Sequence, residues 1–147
     1  MDKTEEFKRI LVGVDDSEDA QMGFRYAIRE AKKIDATLII TSILEGNEMN
    51  VYQALDKDHV RSERTKLEEN IKAYQQRAKE AGVEKVEVIV EEGIAGAVIV
   101  KKVIPASKAD LLVIGSNSNK KKGLKRLLGS QAEYIAKNSP ISVMIVR

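Results

Sequence analysis

The chain has 147 residues, 43% of them hydrophobic and 33% charged, with a formal net charge of +2; this is globular composition sufficient for one core, so a single domain over residues 1–147 is expected. With no cysteine and one histidine, His59, disulfides, thiol catalysis and thiolate metal sites are excluded, and a histidine zinc site or a Ser-His-Asp triad has almost nothing to work with. Balanced charge, 4% aromatic content and no Trp argue against a nucleic-acid binder, while a charged start without an apolar h-region and the lack of any membrane-length apolar run point to a cytoplasmic protein.

Residues 10–14 (ILVGV) form the first apolar run. Its Val- and Ile-rich, nearly continuous character is that of a strand covered on both faces. Ala20, Phe24, Ala27, Ile28, Ala31 and Ile34 then recur at helical spacing. Asp16 or Ser17 supplies the cap, and Glu18 and Asp19 suit the positive first turn. Residues 38–44 read as a second strand and residues 46–57 as an irregular connection. Leu67, Ile71, Tyr74 and Ala78 mark a second, highly charged helix that stops at Gly82. Its Lys and Glu residues form a solvated face with i,i+4 pairs such as Glu68 with Lys72. His59 falls in that polar stretch and reads as a surface histidine.

Residues 86–90 (VEVIV) alternate more, as in a strand with one more exposed face. Ala97, Val98, Lys101 and Ile104 suggest a short third helix that Pro105 ends or kinks. Residues 111–114 (LLVI) are a fourth strand. Ser130, Gln131, Ala132 and Glu133 show a capping-box pattern that opens a fourth helix through Leu128, Ala132, Ile135 and Ala136. Asn138 and Pro140 stop that helix, and residues 141–146 (ISVMIV) make the last strand. Such alternation predicts an α/β fold: a doubly wound, five-stranded parallel sheet with helices on both faces. Ligands bind such sheets at the carboxyl edge of the strands, where the irregular stretches 46–57 and 116–125 lie.

The richest constellation runs from Gly115 to Ser130, from a strand end to a helix N-terminus. It holds Gly115, Ser116, Ser118, Gly123, Gly129 and Ser130, together with Lys120, Lys121, Lys122, Lys125 and Arg126. Backbone N–H groups, hydroxyls and cations suit a phosphate chain. The same residue types also make an ordinary loop, with Gly115 serving the turn and Ser130 only capping. Asp15, after the first strand, either accepts hydrogen bonds from a ribose or adenine or simply shapes the turn. Asp16 is better read as a cap. Asp15 and Asp16 are adjacent and diverge, so they make a poor acid–base pair, and no Walker loop is present.

Several segments together resemble the universal stress protein family over essentially the whole chain. Residues 9–17 (RILVGVDDS) are similar to that family's "ILVAVDGS". Residues 36–38 leading to 42–44, Glu92 and Gly93 before the third helix, 108–116 (KADLLVIGS), 127–130 (LLGS) and 139–147 (SPISVMIVR) follow in the family's order. The resemblance implies the doubly wound sheet and, commonly, a homodimer pairing the last strands. It also implies ATP binding in one branch, whose pattern is Gly-x2-Gly-x9-Gly-[Ser/Thr]. Gly115, Gly129 and Ser130 match that pattern; Ser118 replaces its second glycine, and the spacer 119–128 is one residue longer. If Ser118 adopts positive φ the penalty is ~1 kcal/mol, about fivefold in affinity. Carried over by position, Asp15 and Ile43 meet the adenosine. Gly115, Ser118, Gly129, Ser130 and Gln131 meet the ribose and phosphates, with Ser116 beside them. The expected ligand is ATP or a related adenine nucleotide in a regulatory or stress-response role with little hydrolysis, any Mg2+ riding on the phosphates. A nucleotide-free dimer acting as a protein-interaction module is the alternative, and a weak nucleotide hydrolase ranks third.

Overall fold

A computed structural model describes residues 6–45, 50–116 and 129–147. Among them, parallel strands β1 (Arg9–Gly13), β2 (Thr37–Leu44), β3 (Val86–Glu92), β4 (Leu111–Gly115) and β5 (Ser142–Val146) form one sheet. Their order is β3-β2-β1-β4-β5. This is the expected doubly wound α/β sheet. β3, the alternating strand, sits at one edge, and β5 sits at the other.

Side-chain parity divides the core into two layers, because successive residues of a strand face opposite sides. Ile10, Val12, Leu38, Ile40, Leu111 and Val113 pack with Phe24, Ala27, Ile71, Tyr74 and Ala78. These last belong to helices α1 (Glu18–Ile34) and α3 (Lys57–Glu80). Leu11, Ile39, Leu112 and Ile114 pack on the other side with Val98, Ile99, Val103, Ala132 and Ile135.

The helices depart from the sequence expectation where local patterning is weak. Ser17, not Asp16, caps α1: its side chain accepts from the Ala20 N–H at 3.2 Å. A short helix, α2 (Val51–Leu55), lies in the stretch expected to be irregular. It is held by a capping box between Asn50 and Gln53, and its Val51, Tyr52 and Leu55 are exposed, so no buried stripe announces it. α3 begins well before Leu67, because Asp56 caps the Asp58 and His59 N–H groups; it ends just before Gly82, whose φ of +109° suits glycine. Glu68 pairs with Arg64 at 3.3 Å rather than with Lys72. Arg64 also reaches Glu92 at 2.8 Å and the Val90 carbonyl at 3.1 Å, which fixes it between helix and edge strand.

Pro105 does not end its helix. α4 (Ala95–Val98) runs through a π-helical turn (Ile99–Val103) into α5 (Ile104–Ser107). Pro105 occupies the start of α5, and the wider preceding turn accommodates the N–H that proline lacks. The capping box at Ser130 does not form either. Helix α6 (Ser130–Asn138) has Gly129 at its cap position without a side-chain cap bond; the Gly129 carbonyl accepts the Glu133 N–H at 2.9 Å, and its N–H is tied to the Ser116 carbonyl at 2.9 Å. Glu133 turns instead to Lys137 at 2.9 Å. No helix among the described residues is long and apolar enough to cross a membrane.

Candidate functional site

The chain passes from β1 outward to β2 and β3, then returns to place β4 on the other side of β1. Helices therefore leave the carboxyl ends of β1 and β4 on opposite faces, and a crevice opens between them. A cleft of about 110 Å³ occupies this place. Gly13 and Ile114 form its base, and Asp15, Thr41, Ile43 and Glu45 one wall. Ala95, Ile99, Gln131 and Ile135 line the other.

Parity explains the membership. Gly13 shares a face with Leu11, Thr41 and Ile43 share one with Ile39, and Ile114 shares one with Leu112; all point toward the α4–α6 layer. Gly13, Thr41, Glu45, Ile99 and Ile135 were not among the expected site residues, though strand parity would have indicated the first two. Thr41 is anchored by donating its hydroxyl to the Ile89 carbonyl at 2.9 Å.

Of the expected residues, Asp15, Ile43, Gly115 and Gln131 come together around the cleft. Asp15 is exposed, and its Oδ1 accepts from the Ser17 N–H at 2.9 Å. Its Oδ2 has no partner among the described residues. Gln131 Oε1 accepts from the Gly96 N–H at 2.7 Å and so caps α4, whose own cap residue, Ile94, offers no side-chain bond. The Gln131 amide keeps its N–H groups as donors.

Gly115 serves packing. A Cβ there would lie 2.7 Å from the Asp19 backbone carbon and 2.8 Å from the Ala20 nitrogen. Its absence lets α1 approach β4. Ser116 is 1% exposed and does not line the cleft. Its hydroxyl donates to Asp19 Oδ2 at 2.6 Å, its N–H goes to the Val146 carbonyl, and its carbonyl takes the Gly129 N–H. Ser116 therefore joins α1, β5 and the start of α6 beneath the site. Ser130 opens α6 and is exposed. Ser118 and the basic run at Lys120, Lys121, Lys122, Lys125 and Arg126 lie outside the described residues.

No cluster of three or more metal-ligating acids or histidines occurs among the described residues. His59 is half-buried on the first turn of α3 and does not line the cleft.

The universal stress protein family model matches residues 6–147. A protein of Staphylococcus haemolyticus named as a universal stress protein is 34% identical over 142 residues, covering 96% of this chain and 85% of its own. Among solved structures, UspA from Lactobacillus plantarum superposes with a TM-score of 0.81 at 22% identity, over 98% of this chain and 100% of that one. A universal stress protein in complex with cAMP superposes with a TM-score of 0.70 at 27% identity, over 96% and 97% of the two chains. The family match spans the sheet and every described element bordering the cleft, and this chain belongs to the universal stress protein family.

Proposed function

We propose that the cleft between β1 and β4 binds an adenine nucleotide, ATP or a close relative, as a regulatory or sensing ligand with little hydrolysis. The observation that carries this is the chemistry at its two ends. Asp15 offers a carboxylate oxygen beside Val14 and Ile43, which suits a flat base and a hydroxylated sugar. The N-terminus of α6 and Gln131 stand at the other wall, where the helix dipole favours phosphate. Binding of cAMP by a relative of the same fold supports the adenine assignment. The only titratable side chains lining the cleft among the described residues are Asp15 and Glu45, which argues for binding over turnover. The functional unit is one domain, paired with a second copy through the edge strand β5, in the cytoplasm. Calorimetric titration with Mg·ATP, ADP and cAMP tests the ligand. Micromolar to millimolar binding is expected for at least one; no heat and no melting shift at millimolar nucleotide would remove the proposal.

A nucleotide-free interaction module is the second reading, favoured by one specific feature. Several groups assigned to phosphate already have internal work: Gly129 N–H bonds Ser116, Gln131 Oε1 bonds Gly96, and Gly115 admits α1. An adenine nucleotide released on denaturing the purified protein, seen by mass spectrometry, would count against it.

A further inference from the structure

Asp16 has a φ of +26°, in the region that side-chain-bearing residues avoid. It lies between Asp15, on the cleft wall, and Ser17, the cap of α1. Its neighbours are held locally. Val14 N–H bonds the Thr41 carbonyl at 3.0 Å, Asp15 receives the Ser17 N–H, and Ser17 receives that of Ala20. Asp16 is held from far away in sequence. The Tyr74 hydroxyl on α3 donates to its Oδ1 at 2.9 Å. That same hydroxyl accepts from Gln21 Nε2, so both of its roles are filled. The Tyr74 ring meets Phe24 edge-on at 5.0 Å, and the Arg77 guanidinium lies over both rings at 5.3 and 5.1 Å. At 4% exposure, Tyr74 is a rigid post.

We propose that Tyr74 is a positioning residue of the nucleotide site: its hydroxyl holds Asp16 in the left-handed conformation that presents Asp15 to the ligand. This rests on the adenine-nucleotide reading of the cleft. Without the hydroxyl, Asp16 relaxes toward negative φ, the turn opens, and Asp15 leaves the wall. A glycine at position 16 needs no such post, because it adopts positive φ freely.

The test compares wild type, Tyr74→Phe, Asp16→Gly and the double variant. Phenylalanine keeps the ring contacts with Phe24 and Arg77 and removes only the hydroxyl. ATP affinity, by calorimetry, is expected to fall roughly fivefold in Tyr74→Phe. It should stay within about twofold of wild type in Asp16→Gly and return to that range in the double variant. A merely structural Tyr74 would leave the double variant as weak as Tyr74→Phe. That result, or wild-type affinity in Tyr74→Phe, overturns the proposal. Hydrogen exchange of the Ser17 amide in ligand-free protein gives a second readout. Its protection should be lost in Tyr74→Phe and regained in the double variant; unchanged protection in Tyr74→Phe overturns the proposal even if wild type binds no nucleotide, an outcome that separately defeats the ligand assignment.

Discussion

Gly115, read as a turn or phosphate residue, lines the cleft and also admits the close approach of α1. Residues 111, 113 and 115 share a face, and Leu111 and Val113 pack in the α1 layer, so any side chain at 115 points into that helix. Gly115→Ala should cost about 1–3 kcal/mol of stability, because its neighbours at 2.7–2.8 Å are backbone or the adjoining Cβ and cannot turn aside. Urea unfolding checks this, and an unchanged midpoint would show that α1 has room to retreat. Ser116 carries the same lesson. A serine after a strand looks like a ligand for phosphate, but here it is buried and bonded to a buried carboxylate. Sequence distinguishes poorly between a hydroxyl offered to a ligand and one given to Asp19, since those residues are 97 positions apart. Asp15 was noted for its place after the first strand and Ile43 came from the family resemblance alone; both line the cleft.

At the scale of the element, α3 shows how an apolar pattern reports only the buried part of a helix. Leu67, Ile71, Tyr74 and Ala78 reveal its second half, whereas the first half rests on the Asp56 cap and on Arg64 bridging to β3. Tyr74 belongs to that stripe and reads as core. Its polar tip becomes visible only when α3 is docked beside the β1–α1 turn. Burial, and then the hydrogen bond to Asp16, push its phenol above the ordinary value of 10.0. The unfolded phenol ionises first, so this contribution to stability is complete below pH 10 and is lost as pH rises through the higher folded value. The urea midpoint should therefore fall on going above about pH 10, and fall less steeply in Tyr74→Phe. Equal slopes for the two proteins would show that the folded phenol titrates as the free one does. The π turn ahead of Pro105 has a similar logic. Proline told where regular hydrogen bonding must fail, while packing of Ile99, Val103 and Ile104 in one layer kept the helical path continuous.

For the molecule as a whole, the strand order places two edges in solvent. β3 carries charge along its length and is braced by Arg64 and by Arg9, which meets Glu87 at 2.7 Å. β5 is apolar and only partly covered, with Met144 37% exposed. An edge of that kind is a template for pairing, which supports the proposed homodimer. Sedimentation should give roughly twice the 16.3 kDa chain mass, and Met144→Lys should shift it toward the monomer while leaving the circular dichroism unchanged. A wild-type monomer at high concentration would defeat the pairing. By itself, the sequence determined the alternation of strands and helices, the doubly wound class and the family, and it pointed to the sheet edge where the cleft opens. These follow from local periodicity and short motifs, which neighbouring residues encode together. Only the tertiary structure decided that Gly115 admits α1, that Ser116 is buried against Asp19, that Gly129 rather than Ser130 holds the cap position of α6, and that Tyr74 reaches Asp16. Those roles arise from contacts between distant segments, and such contacts exist only after the two layers have closed on the sheet.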